Sequence, residues 1–201
     1  MKKAFIAIVL IVVAAVIYFF FQTQLVSLIQ SNLFTAEIYY QIVNQTLLGL
    51  FYVSVFGALF FVPFPAEVTF AYYVLLGHNP LLAILVAVVG NLIGLSFNYS
   101  VGRMIGPKLL QKLLKDKYLT WSNWVSKRGN MLLFFGNAIP FPIEPASLVI
   151  GGFKYPFVNY VKWSALGRVL KYVLVYLLFI YAGHTMIPLI NTYLNVNLTT
   201  L

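Results

Sequence analysis

The chain has 201 residues, of which 62% are hydrophobic and 8% charged, against roughly 45–50% apolar and roughly 25% charged in soluble domains. Nothing ionised lies between Lys3 and Glu37, between Glu37 and Glu67, or between Glu67 and Arg103, so a water-facing surface cannot be assembled and the chain belongs in a membrane. Zero cysteines exclude disulfides, thiolate metal sites and cysteine nucleophiles, and two distant histidines exclude a His-rich metal cluster; no cofactor is called for. The net charge of +9 sits mostly beside apolar segments, where anionic lipid rather than nucleic acid is the partner it suits.

Lys2 and Lys3 precede an apolar run over residues 4–21, about 27 Å of helix at ~1.5 Å per residue, close to the thickness of a bilayer core. Bulky Tyr18-Phe19-Phe20-Phe21 offers no small-residue cleavage site, so the run reads as an uncleaved transmembrane helix. Residues 23–45 alternate apolar and uncharged polar residues at helical spacing, as expected of a helix near the membrane surface. From Leu47 the chain is apolar until Pro63-Phe64-Pro65, with Glu67 following before a second apolar piece reaches Leu76. Two prolines one residue apart cannot both occupy a helix interior, because each removes a donor and clashes with the preceding turn. Irregular backbone at membrane depth is tolerated only where protein covers it or it lines a watery cavity. The reading is a re-entrant helical hairpin over 47–76; an ordinary span kinked by the prolines is the alternative.

A span over 80–101 follows, and then Arg103, Lys108, Lys112, Lys115, Lys117, Lys127 and Arg128 are opposed by Asp116 alone. By the positive-inside rule the segment 103–128 is cytoplasmic. Leu109, Leu110, Leu113, Leu114, Trp121 and Trp124 recur against the lysines as in an interfacial amphipathic helix. Residues 131–152 repeat the broken pattern, interrupted at Pro140-Phe141-Pro142-Ile143-Glu144-Pro145 and closed by Gly151-Gly152. A last span over 157–183 carries Lys162, Arg168 and Lys171 in its first half.

The motif Pro63-Phe64-Pro65-x-Glu67 recurs 77 residues later as Pro140-Phe141-Pro142-x-Glu144, and the same shift carries Gly90 onto Gly167, Tyr99 onto Tyr176 and Gly106 onto Gly183. This implies a duplication, with repeats over 46–106 and 123–183. If both basic regions are cytoplasmic, the two hairpins enter from opposite sides and the repeats are inverted, the architecture of secondary transporters. The expected fold is therefore an all-α polytopic membrane protein, a single membrane domain over 1–201. Each half is a re-entrant hairpin with a Pro-x-Pro turn followed by a transmembrane helix. An N-terminal transmembrane helix and a basic cytoplasmic interfacial helix are added to these, and the expected location is the cell membrane.

Two of the chain's four acidic residues, Glu67 and Glu144, occupy equivalent places at the tips of the broken segments. Burying a carboxylate costs several kcal/mol unless it is protonated or paired, so both are candidates for binding substrate or protons. Their candidate partners are Arg168 and Lys171, one turn apart in the last span; guanidinium grips phosphate or carboxylate bidentately. The repeat equivalent of Arg168 is Asn91. A structural salt bridge and a polar slot for a lipid head group both remain open. His78 and His184 read as interfacial histidines at outer segment ends.

Three stretches give the chain its resemblance to a known family. They are Phe61-Val62-Pro63-Phe64-Pro65-Ala66-Glu67; Gly90-Asn91-Leu92-Ile93-Gly94 with Tyr99-Ser100-Val101-Gly102-Arg103-Met104-Ile105-Gly106; and Phe134-Phe135-Gly136-Asn137-Ala138-Ile139-Pro140 leading to Gly151-Gly152. Over residues 47 to 185 the sequence resembles the DedA family of membrane proteins, also called the VTT or SNARE-associated domain family. The resemblance implies translocation of polyprenyl-phosphate carriers or phospholipids, in some members dependent on the proton gradient. Bacterial members usually place arginines around the second turn, where this chain has Asn137 and Ile143, and a further acidic residue before the first, where it has Val55.

The expected function is a lipid flippase or scramblase, not an enzyme, moving phosphate-bearing lipid through a polar groove between the two hairpins with Asn91 and Asn137 beside the charged set. Membrane lipids and protons are the expected partners, and the Tyr- and Phe-rich surface suits a homo-oligomer as well as lipid contact. A proton-coupled exporter of small cations is the alternative. A membrane-embedded lipid phosphatase would need a nucleophile beside a histidine, which neither histidine's surroundings supply.

Overall fold

Helix is the only regular structure among the described residues of the computed structural model, which are 33–59, 66–139 and 143–194, with side-chain surroundings described through Tyr181. The segment 4–21, Pro63, Pro65, Pro140 and Pro142 lie outside them, as does the side chain of His184. The chain divides into two compact units, 1–49 and 50–201.

In the first unit α1 spans Leu33–Val43. Gln41 Nε2 donates to Glu37 Oε1 at 2.6 Å, and the Thr46 hydroxyl donates to Gln41 Oε1 at 2.5 Å. The same hydroxyl accepts from the Gly49 amide at 3.0 Å. Thr46 thereby N-caps α2, Leu47–Gly57, by satisfying a donor that the first helical turn leaves free.

The second unit begins within α2 and continues with α3 (Ala66–Leu75), α4 (Pro80–Leu114), a 3-10 turn (Lys115–Lys117), α5 (Tyr118–Ala138), α6 (Glu144–Gly152) and α7 (Phe157–Leu194). Asn79 starts α4, its Oδ1 accepting from the Leu81 and Leu82 amides at 3.0 and 3.2 Å, with Pro80 pre-set at the first helical position. The helix does not stop at Arg103 but runs on to Leu114. Lysine and arginine are good helix formers, so a change from apolar to basic composition marks a change of surroundings without breaking the helix.

Small residues decide how the helices cross. Along α4 the buried set Ala83, Ala87, Gly90, Asn91, Gly94, Asn98, Gly102 and Gly106 recurs every three or four residues, leaving a flat face that a neighbouring backbone can approach. At Gly102 an added Cβ would overlap the Leu148 carbonyl of α6, and at Gly151 it would overlap the Tyr99 carbonyl of α4. A Cβ at Gly106 would stand 2.6 Å from the Gly152 Cα. At Gly90 it would stand 2.8 Å from Ser54 Cβ and 3.3 Å from the Val55 nitrogen, while at Gly167 of α7 it would stand 2.8 Å from Asn137 Cβ and 3.2 Å from the Ala138 nitrogen.

Two buried clusters result. One gathers Leu95, Tyr99, Val125, Leu133, Ile150 and Tyr160; the other gathers Leu50, Phe70, Tyr73, Ile84, Val88 and Tyr172. Helix α7 supplies Tyr160 to the first and Tyr172 to the second, so Arg168 lies between them along the helix. Outward the pattern is apolar: Leu81, Leu85, Val89, Ile93 and Phe97 follow one another at four-residue spacing on α4, and Leu166, Leu170, Leu174 and Leu178 do so on α7, all exposed. Apolar faces outside and polar residues inside suit lipid rather than water. Two helices, within Pro80–Ala138 and Phe157–Tyr181, are long and apolar enough to cross a membrane.

Candidate functional site

The inward face of α7 is polar. Tyr160, Ser164, Arg168 and Tyr172 recur every four residues, with Lys171 beside the last, and all five are buried. The rest of the helix is apolar enough to hold it against lipid, so this stripe is forced towards protein partners, and polar groups buried there need partners.

Those partners stand at helix ends. Glu144 is the first residue of α6 and Glu67 the second of α3, where free amides and the helix dipole both favour negative charge. Arg168 Nη2 donates to Glu144 Oε1 at 2.9 Å, and Nη1 lies 3.7 Å from Glu67 Oε1. Arg168 Nε donates to Asn137 Oδ1 at 3.0 Å, so all three guanidinium nitrogens face oxygen. Lys171 Nζ donates to Glu67 Oε1 at 2.5 Å. Asn137 Nδ2 donates to the Leu133 carbonyl at 2.8 Å and to Ser164 Oγ at 3.4 Å, which fixes the asparagine's orientation towards Arg168. Two cations and two carboxylates balance, as burial requires. The exposure is unequal: Arg168 and Lys171 are 1% and 3% accessible, whereas Glu67 and Glu144 are 28% and 18%. The carboxylates are therefore the more accessible members of the cluster and the cations the more deeply buried.

Glu67, Glu144, Arg168, Lys171 and Asn137 thus meet in one cluster. Asn91 stands one residue removed: its Nδ2 donates to the Ala87 carbonyl and to the Tyr172 hydroxyl, both at 2.8 Å. Tyr172 in turn packs on Phe70 with ring centroids 4.9 Å apart. The motif glycines lie at helix crossings, Gly90 and Gly94 against α2, and Gly102, Gly106, Gly151 and Gly152 between α4 and α6. Tyr99 and Arg103 serve elsewhere: the Tyr99 hydroxyl donates to the Tyr155 carbonyl at 2.5 Å, and Arg103 Nη1 donates to the Tyr99 hydroxyl at 2.5 Å. Pro145 sits in the first turn of α6, where its missing donor would have had no intrahelical partner. His78 stacks on Tyr73, centroids 5.4 Å apart.

Sequence reasoning passed over Ser164, Tyr160, Tyr172 and Ser54. The first three had a legible signal, the four-residue recurrence of polar residues in a span through Arg168. Ser54 had none; its hydroxyl is buried without a hydrogen-bond partner, alone in this among the described residues.

A chain of helices that turns apolar faces outward and encloses a balanced set of four charges is an integral membrane protein. Residues 62–184, more than half of the sequence, match the VTT domain, and the chain belongs to that family, the DedA family to which its motifs pointed. It is also similar to an uncharacterized protein of Methanocaldococcus jannaschii, 29% identical over 137 residues that make up 68% of this chain and 85% of the relative. No solved structure matches.

Proposed function

We propose that the protein is a translocase of phosphate-bearing lipids, polyprenyl phosphate or phospholipid, and not an enzyme. The observation that carries the reading is the pair of cations buried in a helix of membrane-spanning length and screened by two carboxylates at the starts of two shorter helices. Each carboxylate stands where a phosphate oxygen would go: Glu144 on the Arg168 guanidinium, Glu67 on the Lys171 ammonium. Protonating or displacing a carboxylate frees donors that suit a phosphate, and restoring it expels the head group, while the tail stays in lipid. Protons are partners in this scheme, and no covalent step is needed.

The broken segments 47–76 and 131–152 act in it as re-entrant hairpins of two inverted repeats, 46–106 and 123–183. The matched surroundings of Gly90 and Gly167 support this. Gly90 meets Phe51, Ser54 and Val55, and Gly167 meets Phe134, Asn137 and Ala138, the same spacing on α2 and α5. Those sets lie 83 residues apart while the proline motifs lie 77 apart, so the first half carries six extra residues between Val55 and its turn. Ser54 then corresponds to Asn137, Asn91 to Arg168 and Gly94 to Lys171, and the buried positive charge is confined to the second half while each half supplies one carboxylate. The spans over 80–101 and 157–183, the N-terminal helix over 4–21, and a cell-membrane location with the N-terminus and 103–128 in the cytoplasm complete the reading. A homo-oligomer remains compatible with it. Cysteine labelling tests the topology: protection of a thiol next to Glu67 from external reagents, with access from the cytoplasm, counts against the hairpins.

The test of function is reconstitution in liposomes with a labelled phospholipid and a labelled polyprenyl phosphate, alongside Glu67→Gln and Arg168→Ala. Movement of either lipid, lost in the variants, supports translocation and names the substrate class. One observation favours a second reading: the more accessible groups are carboxylates, which suit a proton-coupled exporter of small cations. Proton-driven cation flux with no movement of either lipid would select that reading.

A further inference from the structure

Helix α5 presents a second surface that the charge cluster does not use. Along it runs an open groove of about 420 Å³, lined by Met131, Leu132, Phe135, Gly136 and Ile139, with Trp124 and Arg128 at one end. Arg128 is exposed and nothing among the described residues pairs with it, and Lys127 stands beside it. Trp124 packs edge-on against Trp121, centroids 6.0 Å apart, the kind of aromatic pair found at a membrane–water boundary. At the other end, Gly136 lets Ile143 Cδ1 pack against the helix, and the residue after Ile143 is Glu144 of the charge cluster.

The dimensions select the occupant. From Arg128 to Ile139 is about 16 Å of helix at ~1.5 Å per residue, half of the ~30 Å hydrocarbon thickness and therefore the depth of one leaflet. A cation at the interfacial end and an apolar trough reaching mid-membrane match one lipid molecule, phosphate at Arg128 and tail over Met131 to Ile139. We infer that this groove is a docking site for a phosphate-bearing lipid of the leaflet facing the basic segment, held by Arg128 and leading along α5 towards Glu144. The inference rests on the lipid reading of the cluster for its ligand class, and on the groove alone for its position.

Because the head group pairs with an exposed cation, retention depends on charge. Because the tail lies in a shallow trough, a larger side chain at Met131, which is itself 58% exposed, blocks it without disturbing the core. The full chain in phosphatidylcholine nanodiscs is illuminated with phosphatidylglycerol carrying a photoreactive group on its tail, and with diacylglycerol carrying the same tail. The expected result is labelling of 131–139 by the phosphatidylglycerol probe, several-fold above diacylglycerol and several-fold reduced in both Arg128→Gln and Met131→Trp. Labelling spread evenly over α4 and α7, or unchanged in both variants, overturns the site. So do disulfide-linked dimers of Met131→Cys, readable in a chain with no other cysteine, since they give the groove to a second copy. The liposome assay separates the two proposals. Labelling that depends on Arg128 without lipid movement leaves the docking site and removes the translocase; movement without such labelling does the reverse.

Discussion

Replacing Arg168 by methionine removes the one group that contacts Glu144, Asn137 and Glu67 together. Breaking a buried ion pair from one side costs about 3–5 kcal/mol, because the remaining charge stays without compensation. Glu144 is 18% accessible and Glu67 keeps Lys171, so the lower end applies, about 3 kcal/mol. For a chain of this length that corresponds to a melting point lowered by roughly 6–12 °C. The penalty belongs to the stranded carboxylate rather than to lost packing, so Glu144→Gln in the Arg168→Met background restores part of it, while Glu144→Gln alone destabilises. The coupling between the two sites should be in the range of about 0.5–3 kcal/mol. Thermal unfolding of all four proteins in one detergent, followed by tryptophan fluorescence, measures the cycle. Additive effects, or an Arg168→Met protein as stable as the parent, would refute the argument that charge balance holds the first turns of α3 and α6 on α7.

The buried Ser54 hydroxyl has no hydrogen-bond partner, so Ser54→Ala should be neutral or stabilising by up to about 1 kcal/mol in the same unfolding assay; a loss of more than that would mean that the hydroxyl is satisfied. Gly102→Val places a branched side chain on the Leu148 carbonyl at the α4–α6 crossing, where backbone must yield, and fluorescence-detected size exclusion should show little folded protein. Gly77→Ala is the control for glycine itself: φ is +88° with open space around it, so the cost is limited to about 1 kcal/mol of backbone strain and folded yield should persist.

Much of the helical plan was legible because lipid imposes a simple rule: apolar length decides where helices run, although a single proline need not end one, since Pro107 lies inside α4. Asn79-Pro80 and the glycines at 151 and 152 mark element ends in the sequence, and α4 and α6 begin or end there. The four charged candidates were conspicuous for the same reason, since ionised residues are rare in such a chain. Their pairing was not. Lys171 reaches Glu67 across 104 residues of sequence while Arg168 takes Glu144 and Asn137, an allocation that depends on how α3 and α6 present their first turns to α7. Asn91 illustrates the limit of register arguments: equivalence to Arg168 by a shift of 77 says which position it copies, not what it touches, and it binds Tyr172.

The sequence by itself determined the solvent, the helical class, the family and the short list of polar residues, because hydropathy, proline and charge are properties of composition along a line. The tertiary structure decided the rest. Which carboxylate meets which cation, which members of the cluster are buried deepest, and that Gly102 and Gly151 are where α4 and α6 touch backbone to backbone all follow from packing between segments far apart in the chain. Hydrogen bonds and close contacts act over a few ångströms, so only the folded arrangement of helices could bring those residues within reach.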